Sequence, residues 1–89
     1  MKIHLEIVTP EQPIASEEVD EATIPGIEGE FTILPQHTTL LTQLGTGPLR
    51  YRRGSQAKTV QITGGFCEVR QDRVTVLVDQ ADSLKPGVV

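Results

Sequence analysis

Apolar and polar side chains alternate along most of the chain. In Lys2-Ile3-His4-Leu5-Glu6-Ile7 the apolar Ile3, Leu5 and Ile7 fall on one face of an extended segment, and Lys2, His4 and Glu6 fall on the other. A period of two with no helical period predicts a half-buried β-strand. Thr9-Pro10-Glu11-Gln12-Pro13 breaks it, because each proline lacks a donor and pushes its predecessor toward extended geometry. From Ile14 to Ile24 the chain carries β-branched Val19, Thr23 and Ile24 through an acidic cluster of Glu17, Glu18, Asp20 and Glu21. Four carboxylates so close together repel, which places them on a solvated face or at a strand edge.

Pro25-Gly26-Ile27-Glu28-Gly29-Glu30 has turn composition. Phe31 to Leu34 is a short strand stopped by Pro35, and Thr38 to Leu44 is apolar enough to be buried. Gly45-Thr46-Gly47-Pro48 is a further turn. Leu49-Arg50-Tyr51-Arg52 alternates again, and Arg53-Gly54-Ser55-Gln56 is a polar hairpin connection. Val60 and Ile62 share one face of a strand interrupted by Gly64-Gly65, where adjacent glycines mark a bulge or a close backbone approach. The strand resumes at Phe66 to Arg70, and Gln71-Asp72-Arg73 turns into Val74 to Val78, the most β-prone segment. Gln80 to Lys85 is the one stretch that suits a helical turn, stopped by Pro86-Gly87. Short strands at regular spacing predict an all-β sandwich or flattened barrel of two packed antiparallel sheets, ~10 strands in all.

Composition narrows this to one small domain. The chain has 89 residues, and its three aromatics, Phe31, Tyr51 and Phe66, leave the core to aliphatic side chains. Eight glycines and six prolines exceed what the element interiors of a helical bundle tolerate. A net charge of −4 lacks the basic excess of a dedicated nucleic-acid binder. Cys67 is the single cysteine, which excludes an internal disulfide and suits a reducing, intracellular setting. No apolar run approaches the ~20 residues of a spanning helix, and the alternating start does not read as a signal peptide.

No catalytic constellation emerges. His4, His37 and Cys67 have no close spacing, so a metal site is not expected, and no cofactor motif is present. Cys67 needs an activating base to act as a nucleophile. Its parity, opposite to Phe66, suits a small packed residue instead. Glu28 and Glu30 share a loop, where carboxylates are ordinarily solvated. Gly64-Gly65 lacks the following Lys-Ser/Thr of a phosphate loop. Arg50, Arg52 and Arg53 surround Tyr51, but Tyr51 points away from Arg50 and Arg52, so stacking and charge do not cooperate on nucleic acid. The residues by themselves describe a binding or structural β domain.

Ile24-Pro25-Gly26-Ile27-Glu28-Gly29-Glu30-Phe31-Thr32-Ile33-Leu34-Pro35-Gln36-His37, followed by Leu40-Leu41-Thr42, closely resembles the central segment of one family, the epsilon subunit of the F-type ATP synthase. Leu5 to Glu11, Gly64 to Val69 and Arg73 to Asp79 match in order. The resemblance implies a β-sandwich spanning residues 1–82 and a non-catalytic place in the central stalk, between the gamma subunit and the membrane c-ring. There it would couple ion-driven rotation, of protons or sodium, to ATP synthesis. It would lie peripherally on the cytoplasmic side of the energy-coupling membrane, without inserting into it.

Residue by residue, the resemblance implies that Glu28, Gly29 and Glu30 face the polar loops of the c-ring, and that Thr9, His37 and Thr42 face the gamma subunit. Two departures stand out. The family commonly has glycine where Gln36 precedes His37, and its members usually continue into a C-terminal helical hairpin near Ser83 to Val89. The expectation is therefore little of the hydrolysis-inhibiting or ATP-sensing role that the hairpin carries. A retained regulatory role and an unrelated small β-sandwich ligand-binding module are the alternatives to the stalk role.

Overall fold

Strand β1 (Ile3–Val8) alternates as its sequence requires: Ile3, Leu5 and Ile7 are buried, and the residues between them are partly exposed. The computed structural model describes residues 1–82 and 85–86, and the expected start of a helical segment in 83–89 lies largely outside them. Ten further strands follow in chain order: β2 (Pro13–Val19), β3 (Glu21–Gly26), β4 (Gly29–Ile33), β5 (Leu40–Gln43), β6 (Thr46–Arg53), β7 (Gln56–Thr63), β8 (Phe66–Arg70), β9 (Arg73–Leu77), β10 (Gln80–Ala81) and β11 (Lys85–Pro86). They form two sheets, in the orders β2-β1-β9-β8-β5 and β10-β7-β6-β3-β4, with β11 also paired to β7. Packed face to face, the sheets enclose a core of Ile, Val and Leu with one deeply buried aromatic, Tyr51.

The all-β sandwich is as expected, with one difference in its pairing. β1 and β9 run parallel, so the first sheet is mixed. These strands come from opposite ends of the chain, and no tight hairpin dictates their relative direction. The β1–β2 and β8–β9 hairpins simply lie side by side.

The acidic segment is not one strand. The chain crosses between sheets at Asp20, ending β2 at the edge of the first sheet and starting β3 inside the second. The carboxylates are matched to cations instead of only being solvated. Asp20 meets Lys2 at 2.5 Å and Arg52 at 3.4 Å, Glu21 meets Arg52 at 3.2 Å, and Glu17 meets Lys58 at 3.3 Å. Tyr51 also donates its phenolic hydrogen to Glu17 at 2.5 Å, a bond that ties β2 of one sheet to β6 of the other. His4, expected to be solvated, holds Glu18 with Nδ1 at 2.9 Å.

Three more segments depart from expectation. Gly47 and Pro48 lie within β6, where β3 pairs only with Arg50 to Arg52, so Pro48 lies beyond that ladder and removes no bond from it. Gly64-Gly65 does not interrupt one strand but carries the chain from β7 in the second sheet to β8 in the first. Gln80–Ala81 forms a short strand antiparallel to β7 where a helical turn was expected, because Gln80 and Ala81 find open backbone partners at Thr63 and Ile62. Among the described residues no helix is long and apolar enough to cross a membrane.

Candidate functional site

The β3–β4 hairpin places the first set of expected contact residues. Pro25 pairs with Glu30 and Gly26 with Gly29, leaving Ile27-Glu28 as a two-residue connection. Gly26 is required by packing, since a Cβ there would stand 2.8 Å from the Gly29 carbonyl oxygen and 3.0 Å from the Phe31 ring. The tip is tied to the other sheet: Ile27 N–H donates to Gln43 O at 3.1 Å, and Gly45 N–H donates to Pro25 O at 3.0 Å. Ile27, Glu28, Gly29 and Glu30 are all exposed on this braced projection. Glu30 is not unpartnered, for Arg50 approaches it at 3.4 Å with both side chains half exposed. A pair so solvated contributes little to stability and can be exchanged for another cation at small cost.

The second set is spread wider. Thr9 is buried and closes the turn into β2, its hydroxyl donating to Gln12 O at 2.9 Å and accepting from Gln12 N–H at 3.1 Å. It borders a shallow groove with Pro10, Gln43, Phe66 and Leu77. Thr42 is half-buried on β5, opposite Cys67. His37 is partly exposed, and its Nδ1 donates to the Thr38 carbonyl at 2.7 Å. Its turn lies beside the β8–β9 turn, where Asp72 accepts the Gln36 N–H at 2.6 Å. Thr9 and His37 therefore stand near opposite ends of β9, about 13 Å apart along its rise. The structure brings Thr9, Gln43 and the hairpin tip together at one end, and leaves His37 at the other.

Gln36 has a physical explanation. His37 N–H donates to Leu34 O at 3.2 Å, with Pro35 and Gln36 at the centre of the turn and Gln36 at φ +67°. Proline followed by a residue of positive φ is the signature of a type II turn, whose third position favours glycine. Gln36→Gly is expected to relieve left-handed strain and, after the added freedom of the unfolded chain, to stabilise by ~0.5–1 kcal/mol. Calorimetry should show a melting temperature ~3–6 °C higher. A lower one would mean that the Gln36 side chain supports the turn.

Cys67 is fully buried, and burial, with a smaller contribution from the Glu68 charge, pushes its thiol up to about 12. A thiol in that state is a packed residue and a poor nucleophile. Among the described residues no three His, Cys, Asp or Glu side chains gather where they could hold a metal ion.

Sequence reasoning missed a row of exposed apolar side chains. Thr38 to Leu44 was expected to be buried, yet Leu41 is 70% exposed, because β5 is an edge strand with one face to solvent. Phe66 and Leu77, 54% and 53% exposed, face each other across β8 and β9 on the outside of the first sheet. Their signal was the parity that sends Cys67 inward and Phe66 outward.

Residues 2–83 match the family model described as the β-sandwich domain of the ATP synthase delta/epsilon chain. The chain is similar to the ATP synthase epsilon chain of Dehalococcoides mccartyi, 49% identical over 91% of this chain and 58% of that protein. It is also similar to the epsilon chain of Syntrophobacter fumaroxidans, 51% identical over 91% of this chain and 60% of that one. It thus spans about three fifths of the length of these curated relatives. Among solved structures it superposes on a chain of the Euglena gracilis mitochondrial ATP synthase OSCP/F1/c-ring assembly, with a TM-score of 0.85, 28% identity, and coverage of 96% of this chain and 53% of that one. A chain of the Tetrahymena thermophila mitochondrial ATP synthase central stalk and c-ring shares the fold, with a TM-score of 0.78 at 22% identity over 93% of this chain and 67% of that one.

Proposed function

The chain belongs to the ATP synthase delta/epsilon family through its β-sandwich domain, and from that membership we propose that it is a non-catalytic subunit of the central stalk. In this reading it joins the gamma subunit to the membrane c-ring, so that rotation driven by proton or sodium flow is transmitted as torque to the catalytic head. It sits peripherally on the cytoplasmic side of the energy-coupling membrane. The observation that carries the reading is the family match over residues 2–83. The fold suits the task, since two hydrogen-bonded sheets closed over an aliphatic core resist shear better than a site built on loops.

Within that reading, Glu28, Gly29 and Glu30 meet polar loops of the c-ring, and Thr9, His37 and Thr42 lie toward gamma. Glu30 would exchange Arg50 for a basic c-ring side chain on docking, two weak pairs of similar strength. Reconstitution of the gamma and c-ring contacts with purified subunits tests both halves. Wild-type chain should co-purify with folded gamma, and the gamma-bound chain should then capture c-rings. Glu30→Lys should weaken ring capture ~5-fold while leaving gamma binding unchanged. Failure of the wild type to bind folded gamma would remove the stalk reading.

A further inference from the structure

The imidazole of His4 meets different partners in its two protonation states. Its Nδ1 lies 2.9 Å from Glu18 Oε1, directly across the ladder on β2. Its Nε2 stands 3.3 Å from each of two groups, the Ser16 hydroxyl on β2 and Glu6 Oε1 on β1 itself. A neutral ring carries one N–H and one lone pair, and an ionised carboxylate only accepts. With its hydrogen on Nδ1 the ring donates to Glu18 and accepts the Ser16 hydroxyl hydrogen, so both bonds cross from β1 to β2. Glu6 then faces a lone pair. The charged ring has two donors and no acceptor. Its Nδ1 keeps Glu18, and its Nε2–H turns to Glu6, since two ionised groups bond more strongly than an ion and a hydroxyl.

The same Glu6 oxygen lies 3.9 Å from Arg73 Nη1 on β9, the strand that flanks β1 on its other side. One carboxylate oxygen is therefore shared between an imidazole and a guanidinium, and the charge on the first sets its hold on the second. The other charged groups nearby are engaged or one strand removed. Lys2 holds Asp20. Asp72 takes the His4 backbone N–H on its carbonyl and the Gln36 N–H on its carboxylate. Glu17 turns to Tyr51 and Lys58. Arg70 and Glu68 lie on β8, opposite Arg73 and Thr75 of β9. Among the described residues the ring forms ion pairs with Glu6 and Glu18 alone.

We propose that His4 is a proton-operated switch on the outer face of the first sheet. Taking a proton from solvent, its Nε2 exchanges the Ser16 hydroxyl for the Glu6 carboxylate, draws Glu6 off Arg73 and frees that guanidinium for an anion outside the domain. No bond between heavy atoms changes. The edge strand β2 keeps its Glu18 contact in both states and loses the Ser16 contact in the charged one. The switch belongs to the domain itself and holds whether or not the stalk reading does.

Nuclear magnetic resonance of the whole chain, titrated between about pH 8 and about pH 5 where imidazole ordinarily changes charge, tests this. At the alkaline end the His4 ring nitrogens should report a neutral ring with its hydrogen on Nδ1. On acidification the Glu6 carboxyl carbon and the Arg73 guanidinium nitrogens should move together with His4, at its midpoint and not at that of His37. In Glu6→Gln the Arg73 response should be lost while His4 still titrates. In Ser16→Ala the neutral ring should lose its single tautomer, and the coupling of Glu6 to Arg73 should remain. Glu68→Gln, one strand removed, should change none of these responses. An Arg73 signal that ignores His4 in the wild type overturns the proposal, as does a neutral ring with its hydrogen on Nε2. An Arg73 response that survives in Glu6→Gln also overturns it, because the charge would then act without the carboxylate.

Discussion

Gly65→Ala is expected to cost the domain more than about 4 kcal/mol, the range in which a small domain no longer folds at physiological temperature. A Cβ at position 65 would lie 2.0 Å from the Leu77 carbonyl oxygen and 2.7 Å from the Val78 Cα, at a φ of +110° that side-chain-bearing residues rarely adopt. Both obstacles are backbone, and neither can swing aside as a side chain tip would. Moving them means displacing the end of β9 from its partners. The same corner anchors β5, because Leu44 N–H donates to Gly65 O at 2.8 Å. Damage there therefore reaches the strand that carries Thr42 and the row containing Phe66. Gly54→Ala is the control: it shares a positive φ of +61° but meets nothing within 4 Å, so it should cost only the ~1–2 kcal/mol of left-handed strain. Urea denaturation of the two variants decides the matter. Similar midpoints would show that the crossing from β7 to β8 relaxes freely.

That corner also shows where sequence reading runs out. Two adjacent glycines announce a close approach, but not that the neighbour is Leu77 or that the chain is changing sheets. Parity, in contrast, was legible because it is local. Ile3, Leu5 and Ile7 had to share a face, as did Val74 and Val76, and Cys67 had to oppose Phe66. The turns at Gly54-Ser55 and Gln71-Asp72 were legible for the same reason. What escaped depends on partners distant in the chain. The break at Asp20 follows from Arg52 and Gly54, whose side-chain and backbone donors reach it from more than thirty residues away. The exposure of Leu41 follows from β5 lying at a sheet edge, a property of strand order that no window of residues contains. Of the expected contact residues, Glu28 to Glu30 were legible as a projecting turn. Thr9 and His37 owed their selection to family resemblance, and the structure gives both of them turn-closing hydrogen bonds as well, through the Thr9 hydroxyl and the His37 N–H.

The protein should lose stability steeply in alkali, and two buried groups determine where. Burial, helped by the Glu68 charge, holds the Cys67 thiol up to about 12 in the fold. An unfolded cysteine titrates near ~8.5. Between these values the unfolded chain has released a proton that the folded one keeps, so raising the pH favours unfolding. At ~1.4 kcal/mol for each pH unit of that window, Cys67 alone accounts for a loss of roughly 4–5 kcal/mol across it. The Tyr51 phenol is raised by burial and by its hydrogen bond to the Glu17 carboxylate, so its contribution is likewise lost as pH climbs past the ordinary tyrosine value of ~10. On the acid side the sign reverses. Burial pushes the Glu17 carboxyl up, but hydrogen bonds from Tyr51 and Lys58 outweigh it, and Asp20 is held down by Lys2 and the Gly54 N–H. Their stabilisation is present above the normal carboxylate range and fades as pH falls below ~4. Denaturation midpoints followed from neutral pH to about pH 11 should fall with a slope that Cys67→Ala flattens from about pH 9 and Tyr51→Phe flattens only above about pH 10. An unchanged slope in Cys67→Ala would show that the thiol is not what the fold protects. The Tyr51 arm carries the mechanical consequence. Its proton lies in the hydrogen bond between β6 of one sheet and Glu17 on β2 of the other, and removing it sets two negative charges against each other across the sandwich. Alkali should therefore loosen the contact between the layers before it dissolves either sheet.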